Sequence, residues 1–378
     1  MTKPQDAAAS RGALSARADH IMIVMHDFAS GGTERMAIRF ANRWAQSGRK
    51  VTIICGDENG PARRQVDTAV TVTPLSPAIP RGSWSRIRVG RAAAKVARQI
   101  KPDVIFGPGN FHIPVLWALR ALGGYRAASI VCKLSNPLTR PGRSKLGQWI
   151  FSRRLRFQTR RFTQLVALSA SLSQEAEREL NRQNIAFLPL PTLPDEWAPS
   201  SRRARTRTIL CAGRLTKQKN FHFAIRSFGL LHGDYRLIIL GEGPQREELE
   251  QLAENVGVKD RVAFLGYVPD TGPYLQTADV LFVTSLYEGC PAVVIEALAN
   301  GVPVVTTKCA TLLQDIMVHD SFGEYVDFDL KTVPTSLGRV ADHCYPDPTE
   351  VAKLLMPRRI SDAASAWLSV LDQASKAA

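Results

Sequence analysis

Short, continuously apolar segments recur along this chain, and each leads through a glycine-containing or polar turn into a stretch whose apolar residues fall three or four apart. Strands apolar on both faces need cover on both sides, which a parallel sheet wrapped by helices supplies. The alternation of such strands with helical periodicity marks repeated βα units. The first unit has a strand at 21–25, the loop HDFASGGTER, and a helix carrying Met36, Phe40 and Trp44 that stops at Gly48. A second strand follows at 51–55. Further strands are expected at 103–107, 129–132 and 165–168, then a helix at 171–181 and a return to the core at 186–191.

The pattern breaks at PDEWAPSSRRARTR, 194–207, which is polar, basic and interrupted by proline, and it restarts with TILCAGR at 208–214. The helix that follows presents Phe221, Ala224, Ile225 and Phe228 on one face. A strand at 236–243 enters a glycine turn before the charged helix QREELEQLAEN, and strands at 280–285 and 302–307 flank PAVVIEALANG. Beyond residue 322 the pattern reads only as loop plus a short helix, and Ala363, Trp367 and Leu371 mark a final helix. Such a restart does not suit one large Rossmann domain or a TIM barrel. The expectation is an α/β fold of two Rossmann-like domains facing across a deep cleft, the default place for an active site. The divisions are a disordered tail at 1–18, a first domain at 19–195, a linker at 196–207, a second domain at 208–357, and a helix at 358–378 that returns toward the first domain. A chain of 378 residues accommodates two such domains.

Six cysteines lie far apart without a C-x-x-C pair, so neither a zinc framework nor a disulfide scaffold is indicated, and a reducing cytoplasm is the expected setting. The first twenty residues have no apolar stretch of signal-peptide type, and no run is long enough to cross a bilayer. The formal charge of +15 calls for an anionic partner. It is densest at 141–162, PGRSKLGQWIFSRRLRFQTRRF, where Trp149, Ile150, Phe151, Leu155 and Phe157 are interspersed with Arg153, Arg154, Arg156, Arg160 and Arg161. Two readings of this segment stand: a peripheral contact with anionic membrane, or a solvated helix whose apolar residues face the core. No zinc-finger, RRM or KH pattern supports nucleic acid as the partner.

Three stretches carry residues suited to chemistry. In HDFASGGTE, Gly31 and Gly32 let backbone approach a ligand at a helix start, where free N–H groups hold phosphate; a plain tight turn would look the same. Neither G-x-G-x-x-G nor G-K-[ST] is present, which argues against a dinucleotide oxidoreductase and a P-loop ATPase. CAGRLTKQKNF leaves a strand at Gly213 and presents Arg214 and Lys219, cations able to offset charge on a departing diphosphate; Lys217 reads as a solvated neighbour. In TSLYEGCPAVVIEALANGVPVV, Glu288 lies in a loop and Glu296 eight residues later, so both carboxylates can share one side of a loop and helix. Glu296 interrupts an apolar helix and needs hydrogen-bond donors, which ribose hydroxyls would supply. Gly289, Cys290 and Pro291 form the helix entry, where amides can meet diphosphate or sugar.

The last stretch resembles the E-x7-E signature of glycosyltransferase family 4, whose members are retaining, have the GT-B fold and need no metal. GGTER is similar to that family's G-G-x-E-R loop, GRLTKQKNF to its G-R-L-x-x-x-K-N segment, and LGEGPQREELE and FLGYVPD to the two stretches before the signature. The resemblance implies that Arg214 and Lys219 grip the donor diphosphate, Glu288 meets hydroxyls of the transferred sugar, and Glu296 binds the ribose. It also implies that Glu242 belongs to the donor site. For the family's histidine beside the donor sugar the nearest match is His112, several residues further along than the family position, with His26 as the second candidate and an ordinary loop histidine as the alternative for both; Asn136 is a candidate acceptor contact or a turn former. No D-x-D metal site and no cofactor are expected. The resemblance implies a nucleotide-diphosphate sugar as substrate, a UDP-sugar first, and as acceptor a saccharide or a polyprenyl- or lipid-linked glycan of the cell envelope or an exopolysaccharide.

One departure stands out. Where the family has a glycine before an acidic and an aliphatic residue, this chain reads KCATLLQDIM, with Leu312 at the glycine and Asp315-Ile316 as the pair. A bulkier residue beside the sugar would alter donor preference or weaken activity. Two other readings remain open: a nucleoside-diphosphate-sugar synthase acting on a sugar phosphate, and an inactive sugar-nucleotide-binding protein.

Overall fold

The computed structural model describes residues 17–29, 32–139, 142–200, 205–288 and 291–376. Strands β1 (His20–Met25), β2 (Lys50–Cys55), β3 (Thr71–Pro74), β4 (Val104–Gly107), β5 (Ser129–Leu134), β6 (Gln164–Ala167) and β7 (Ala186–Phe187) form one sheet in the order β3-β2-β1-β4-β5-β6-β7. Strands β8 (Thr208–Ala212), β9 (Arg236–Leu240), β10 (Val262–Gly266), β11 (Val280–Val283), β12 (Val304–Thr306) and β13 (Gly323–Tyr325) form the other, in the order β10-β9-β8-β11-β12-β13. The described pairings are parallel. Each sheet thus has the doubly wound order of a Rossmann fold, with its switch point between β1 and β4 or between β8 and β11.

The helices are α1 (Gly32–Gln46), α2 (Ser85–Ile100), α3 (Ile113–Ala121), α4 (Lys145–Thr159), α5 (Ala170–Leu180), α6 (Phe221–Gly229), α7 (Arg246–Asn255), α8 (Gly272–Leu275), α9 (Ala292–Ala299), α10 (Leu313–Ile316), α11 (Val333–His343), α12 (Pro348–Leu355) and α13 (Ile360–Ser375). No helix among the described residues is long and apolar enough to cross a membrane. The chain forms two compact units. The first gathers the described residues through Cys132, 158–165 and those from Ser365 onward; the second comprises 133–157 and 166–364.

In the first unit β1 is buried along its whole length, and α1 lays Phe40 and Trp44 in a stack with ring centroids 5.0 Å apart. Trp367 of α13 closes on this stack at 5.2 Å from Phe40 and 5.6 Å from Phe106, fully buried. Each such aromatic contributes about 1.5–3 kcal/mol by burial. Polar contacts set the helix register: Arg49 makes two 2.9 Å bonds to Asp372, and the Ser129 hydroxyl donates to the Ala374 carbonyl at 2.6 Å. The expected C-terminal helix therefore packs on the first unit through its second half. Residues 1–16 lie outside the described residues, whereas Ala18 is fully buried and donates its N–H to Asp372.

The structure departs from the sequence expectation in two places. The region after residue 322 holds a strand and two helices, β13, α11 and α12, where loop and one short helix were expected. Pro334 and Pro348 occupy first-turn positions, where the missing N–H costs nothing, and so start helices instead of breaking them. The return at 186–191 is only the two-residue β7, with Phe187 exposed; Leu193 is the residue that enters the core. Of the two orientations open to α4, most of its apolar residues take the outward one: Leu146, Trp149, Ile150 and Phe157 are 49–67 % exposed. Its inward face is polar instead, with Ser152 and Gln158 buried and Leu155 the apolar exception. Gln148 and Ser152 both donate to the Glu179 carboxylate, and the Arg156 guanidinium to the Glu179 carbonyl.

Candidate active site

In the second unit, the loops after β8 and β11 leave neighbouring strands at the carboxyl end of the switch point, where doubly wound sheets bind ligands. Gly213 turns out of β8 at φ 151°, and a Cβ there would stand 2.7 Å from Lys219 Cε, so the glycine gives the lysine its path back across the turn. Gly241, ending β9 at φ 134°, is needed for the same turn: a Cβ on it would meet the Gly213 carbonyl oxygen at 1.9 Å. Lys219 Nζ then donates to Glu288 Oε1, which also accepts the Ser285 hydroxyl at 2.7 Å. Both side chains are largely withdrawn from solvent, Lys219 at 19 % and Glu288 at 9 % exposure.

Hydrogen bonds from backbone and side-chain groups zip these loops together. Leu286 donates its N–H to the Gln218 carbonyl at 2.8 Å, the Gln218 amide returns a bond to Tyr287 at 2.9 Å, and the Thr284 hydroxyl donates to the Lys219 carbonyl at 2.9 Å. The loop after β12 is joined to them: the Glu288 N–H bonds the Cys309 carbonyl at 2.6 Å and the Thr307 hydroxyl the Ser285 carbonyl at 2.8 Å. Burial, with the nearby Glu288 carboxylate, raises the Cys309 thiol pKa, so it stays protonated and packs as a small apolar group. The three loops surround a hollow of about 480 Å³ lined by Arg214, Gln218, Tyr287, Glu288 and 308–311, with Asn136, Pro137 and Thr139 of the β5–α4 loop. Arg214 is exposed and has no ion-pair partner among the described residues. It and Lys308 bring positive charge to this hollow, with Lys219 paired behind Glu288.

The model for Glycosyltransferase Family 4 matches residues 30–191, and the model for glycosyl transferases group 1 matches 195–330. Lipopolysaccharide core biosynthesis glycosyltransferase LpsE of Rhizobium meliloti (strain 1021) is 27 % identical over 287 residues, 74 % of this chain and 76 % of its own. The lipopolysaccharide outer core galactosyltransferase WaaB, in its apo form, superposes with a TM-score of 0.70 at 15 % identity, covering 94 % of this chain and 99 % of that one. Anabaena HepE in complex with UDP-glucose superposes with a TM-score of 0.68 at 16 % identity, covering 95 % of this chain and 98 % of its own. The chain is a GT-B-fold glycosyltransferase. It is related to the group 1 and family 4 enzymes.

Of the residues expected to act in this glycosyltransferase, Arg214, Lys219, Glu288 and Asn136 meet at or directly behind one hollow, with Gly213 shaping it. Glu296 does not line it: half-buried in α9, its carboxylate accepts the Thr271 hydroxyl at 2.7 Å. Pro291 is buried at the entry to α9, and Gly289 and Cys290 lie outside the described residues. Glu242 is exposed and paired with Arg246 at 3.2 Å, while its backbone carbonyl holds the N–H of Leu215 at 2.9 Å.

The remaining candidates belong to the first unit of the glycosyltransferase. Gly32 opens α1 with open space where a Cβ would lie, and Gly31 is outside the described residues. His112 ends a 3₁₀ turn directly before α3, buried. His26 follows β1, buried with its ring edge-on to Phe111 at 5.8 Å, and burial lowers its pKa. Beside it, Arg81 bridges Asp27 and Glu34, a cluster that no spacing in the sequence announces because its members lie 47 and 54 residues from Arg81.

Leu312 does not line the hollow. It is 2 % exposed, packed with Leu313 and Ile316 in the core of the second unit, while the hollow is walled by 308–311. Its bulk therefore fills core. Sequence reasoning missed Lys308, Ser285 and Thr271; the usable signal was their place in the loops after β12, β11 and β10. Among the described residues no group of three or more His, Cys, Asp or Glu side chains is arranged to hold a metal.

Proposed function

We propose that this glycosyltransferase transfers a hexose or N-acetylhexosamine, with retention and without a metal, from a UDP-sugar to a saccharide or lipid-linked acceptor of lipopolysaccharide or exopolysaccharide. The observation that carries the reading is the Lys219–Glu288 pair beside Arg214 at the carboxyl ends of β8 and β11. As the glycosidic bond breaks, negative charge accumulates on the diphosphate, and fixed cations at that point lower the barrier because they meet charge that develops only in the transition state. Arg214 and Lys219 supply it. Glu288, held by Lys219 and Ser285, presents its carboxylate edge to sugar hydroxyls. Attack on the face the diphosphate leaves, with a phosphate oxygen taking the acceptor proton, gives retention without a covalent nucleophile. Glu296, beside Thr271, binds ribose hydroxyls.

The acceptor reading draws on relatives such as LpsE and on helix α4. An outward face combining Leu146, Trp149, Ile150 and Phe157 with Arg153 and Arg154 suits an anionic bilayer, apolar groups entering the interface and arginines meeting headgroups. The enzyme would then work at the cytoplasmic face of the membrane on an acceptor held there.

The test is release of nucleoside diphosphate from a panel of UDP-, GDP- and ADP-sugars, with and without EDTA. Release from a UDP-sugar unaffected by EDTA supports the reading, and release abolished by EDTA ends metal independence. Silence across the panel with lipid-linked acceptor supplied would favour the sugar-nucleotide-binding alternative.

A further inference from the structure

Helix α5 supplies no group to the chemistry above, yet it holds two walls of the hollow. Glu175, 6 % exposed, directs Oε1 at the β5–α4 loop and accepts the N–H of Leu138 (2.8 Å), the N–H of Thr139 (2.8 Å) and the Thr139 hydroxyl (2.7 Å). Asn136, Pro137 and Thr139 of that loop line the hollow. One turn earlier on the same face of α5, Ser171 binds the loop after β12. Its hydroxyl lies 2.7 Å from Asp315 Oδ2 and 3.1 Å from the Thr311 carbonyl, and its N–H points to the same carboxylate at 3.3 Å. That loop carries the Cys309 carbonyl to which the Glu288 N–H is bonded. The rotation of α5 is itself set by Ser169, whose side chain caps the Leu172 N–H at 3.1 Å.

A buried carboxylate is a poor choice for filling space, since an apolar side chain would do so without desolvating charge. Aimed at two amides and a hydroxyl of one loop, it imposes a single loop geometry instead. We propose that Glu175 and Ser171 are positioning residues of the transferase. Glu175 sets the 136–139 wall that faces the acceptor, and Ser171, through Asp315 and Thr311, sets the 308–311 wall that orients Glu288. The division between acceptor and donor rests on the proposed function; the loop positioning itself does not.

The experiment follows amide exchange, UDP binding and transfer kinetics with delipidated core oligosaccharide as acceptor. Glu175→Ala is expected to speed exchange at Leu138 and Thr139 at least tenfold and to raise acceptor KM at least tenfold, with UDP affinity within twofold of the parent. Glu175→Gln keeps an acceptor oxygen and should restore most of both. Thr139→Val, at an exposed position, should shift acceptor KM in the same direction by less. Ser171→Ala, acting through Glu288, should lower kcat about threefold or more while leaving UDP affinity and acceptor KM alone. Unchanged exchange at 138–139 in Glu175→Ala overturns the proposal, as does a uniform loss that Glu175→Gln fails to rescue. If no donor is turned over, the exchange data still decide the loop positioning, and the failure belongs to the proposed function alone.

Discussion

Lys219 and Glu288, 69 residues apart in the chain, form an ion pair between the loops that leave β8 and β11, with Ser285 completing the bonds to the same carboxylate oxygen. The pair is shielded enough that neither partner can be removed cheaply. Lys219→Met leaves a carboxylate without its cation, and a loss of about 1–3 kcal/mol in unfolding free energy is expected. Turnover should fall roughly 10²–10³-fold, the scale set by removing one preorganised group that stabilises developing charge. Denaturant melts and single-turnover kinetics separate the two effects; full activity in Lys219→Met would remove the lysine from the mechanism.

Glu288→Gln keeps the shape and a hydrogen-bond acceptor but not the charge. The expected result is near-parent UDP affinity with turnover lost, because the nucleotide is held elsewhere. A variant that retains turnover would favour the binding-protein reading.

Glu296 and the ribose can be tested as a pair. Hydrogen bonds to a charged group contribute roughly 1.5–3 kcal/mol, so Glu296→Ala should weaken UDP by about 10- to 100-fold. With 2′-deoxy-UDP the loss should shrink, since one partner is already missing. An equal loss for both nucleotides would place the ribose elsewhere.

Burial, first among the causes, depresses the pKa of both His20 and His26 from 6.5. The unfolded chain therefore takes up these protons first, and stability falls as pH drops below about 6.5 toward each folded-state value, with no contribution from these groups well above it. A thermal melt series between pH 8 and 5 should show the decline, shallower in His26→Phe and shallower still when Thr52, which lies 2.9 Å from His20 Nε2, is kept and His20 is replaced by Gln. A flat profile in the parent protein would contradict the buried neutral state.

The outward face of α4 predicts binding to anionic vesicles. Basic residues near such a surface contribute about 1 kcal/mol each, so Arg153→Gln with Arg154→Gln should reduce partitioning roughly 30-fold at low salt. Trp149→Ala should reduce it on neutral and anionic vesicles alike. Sedimentation with phosphatidylglycerol vesicles measures both, and unchanged partitioning would leave these apolar residues without a membrane.

Much of the fold was legible because its causes are local. Buried parallel strands must be apolar along their length, as in HIMIVM and VLFV, and a helix with one covered face must repeat its apolar residues as Met36, Phe40 and Trp44 do. Prolines misled where position mattered more than identity, at Pro334 and Pro348. The direction of α4 was not legible either: its composition admits both orientations, and partners outside the helix, Glu179 for Gln148 and Ser152 and the Leu138 carbonyl for Gln148, draw that face inward and leave Trp149 and Ile150 outside.

The sequence by itself determined the two series of βα units, the glycine turn at Gly213 and the presence of Arg214, Lys219, Glu288 and Glu296 in loops or helix starts after strands. These follow from steric and hydrophobic constraints acting within a few residues. Tertiary structure alone decided which of them meet. Lys219 reaches Glu288 because β8 and β11 are neighbours in the sheet although two strands lie between them in the chain. Ser171 reaches Asp315 across 144 residues, Glu175 reaches Leu138 across 37, and Leu312 turns into the core instead of the hollow. Strand order and helix packing minimise the free energy of the whole chain, so contacts at such separations carry no local imprint.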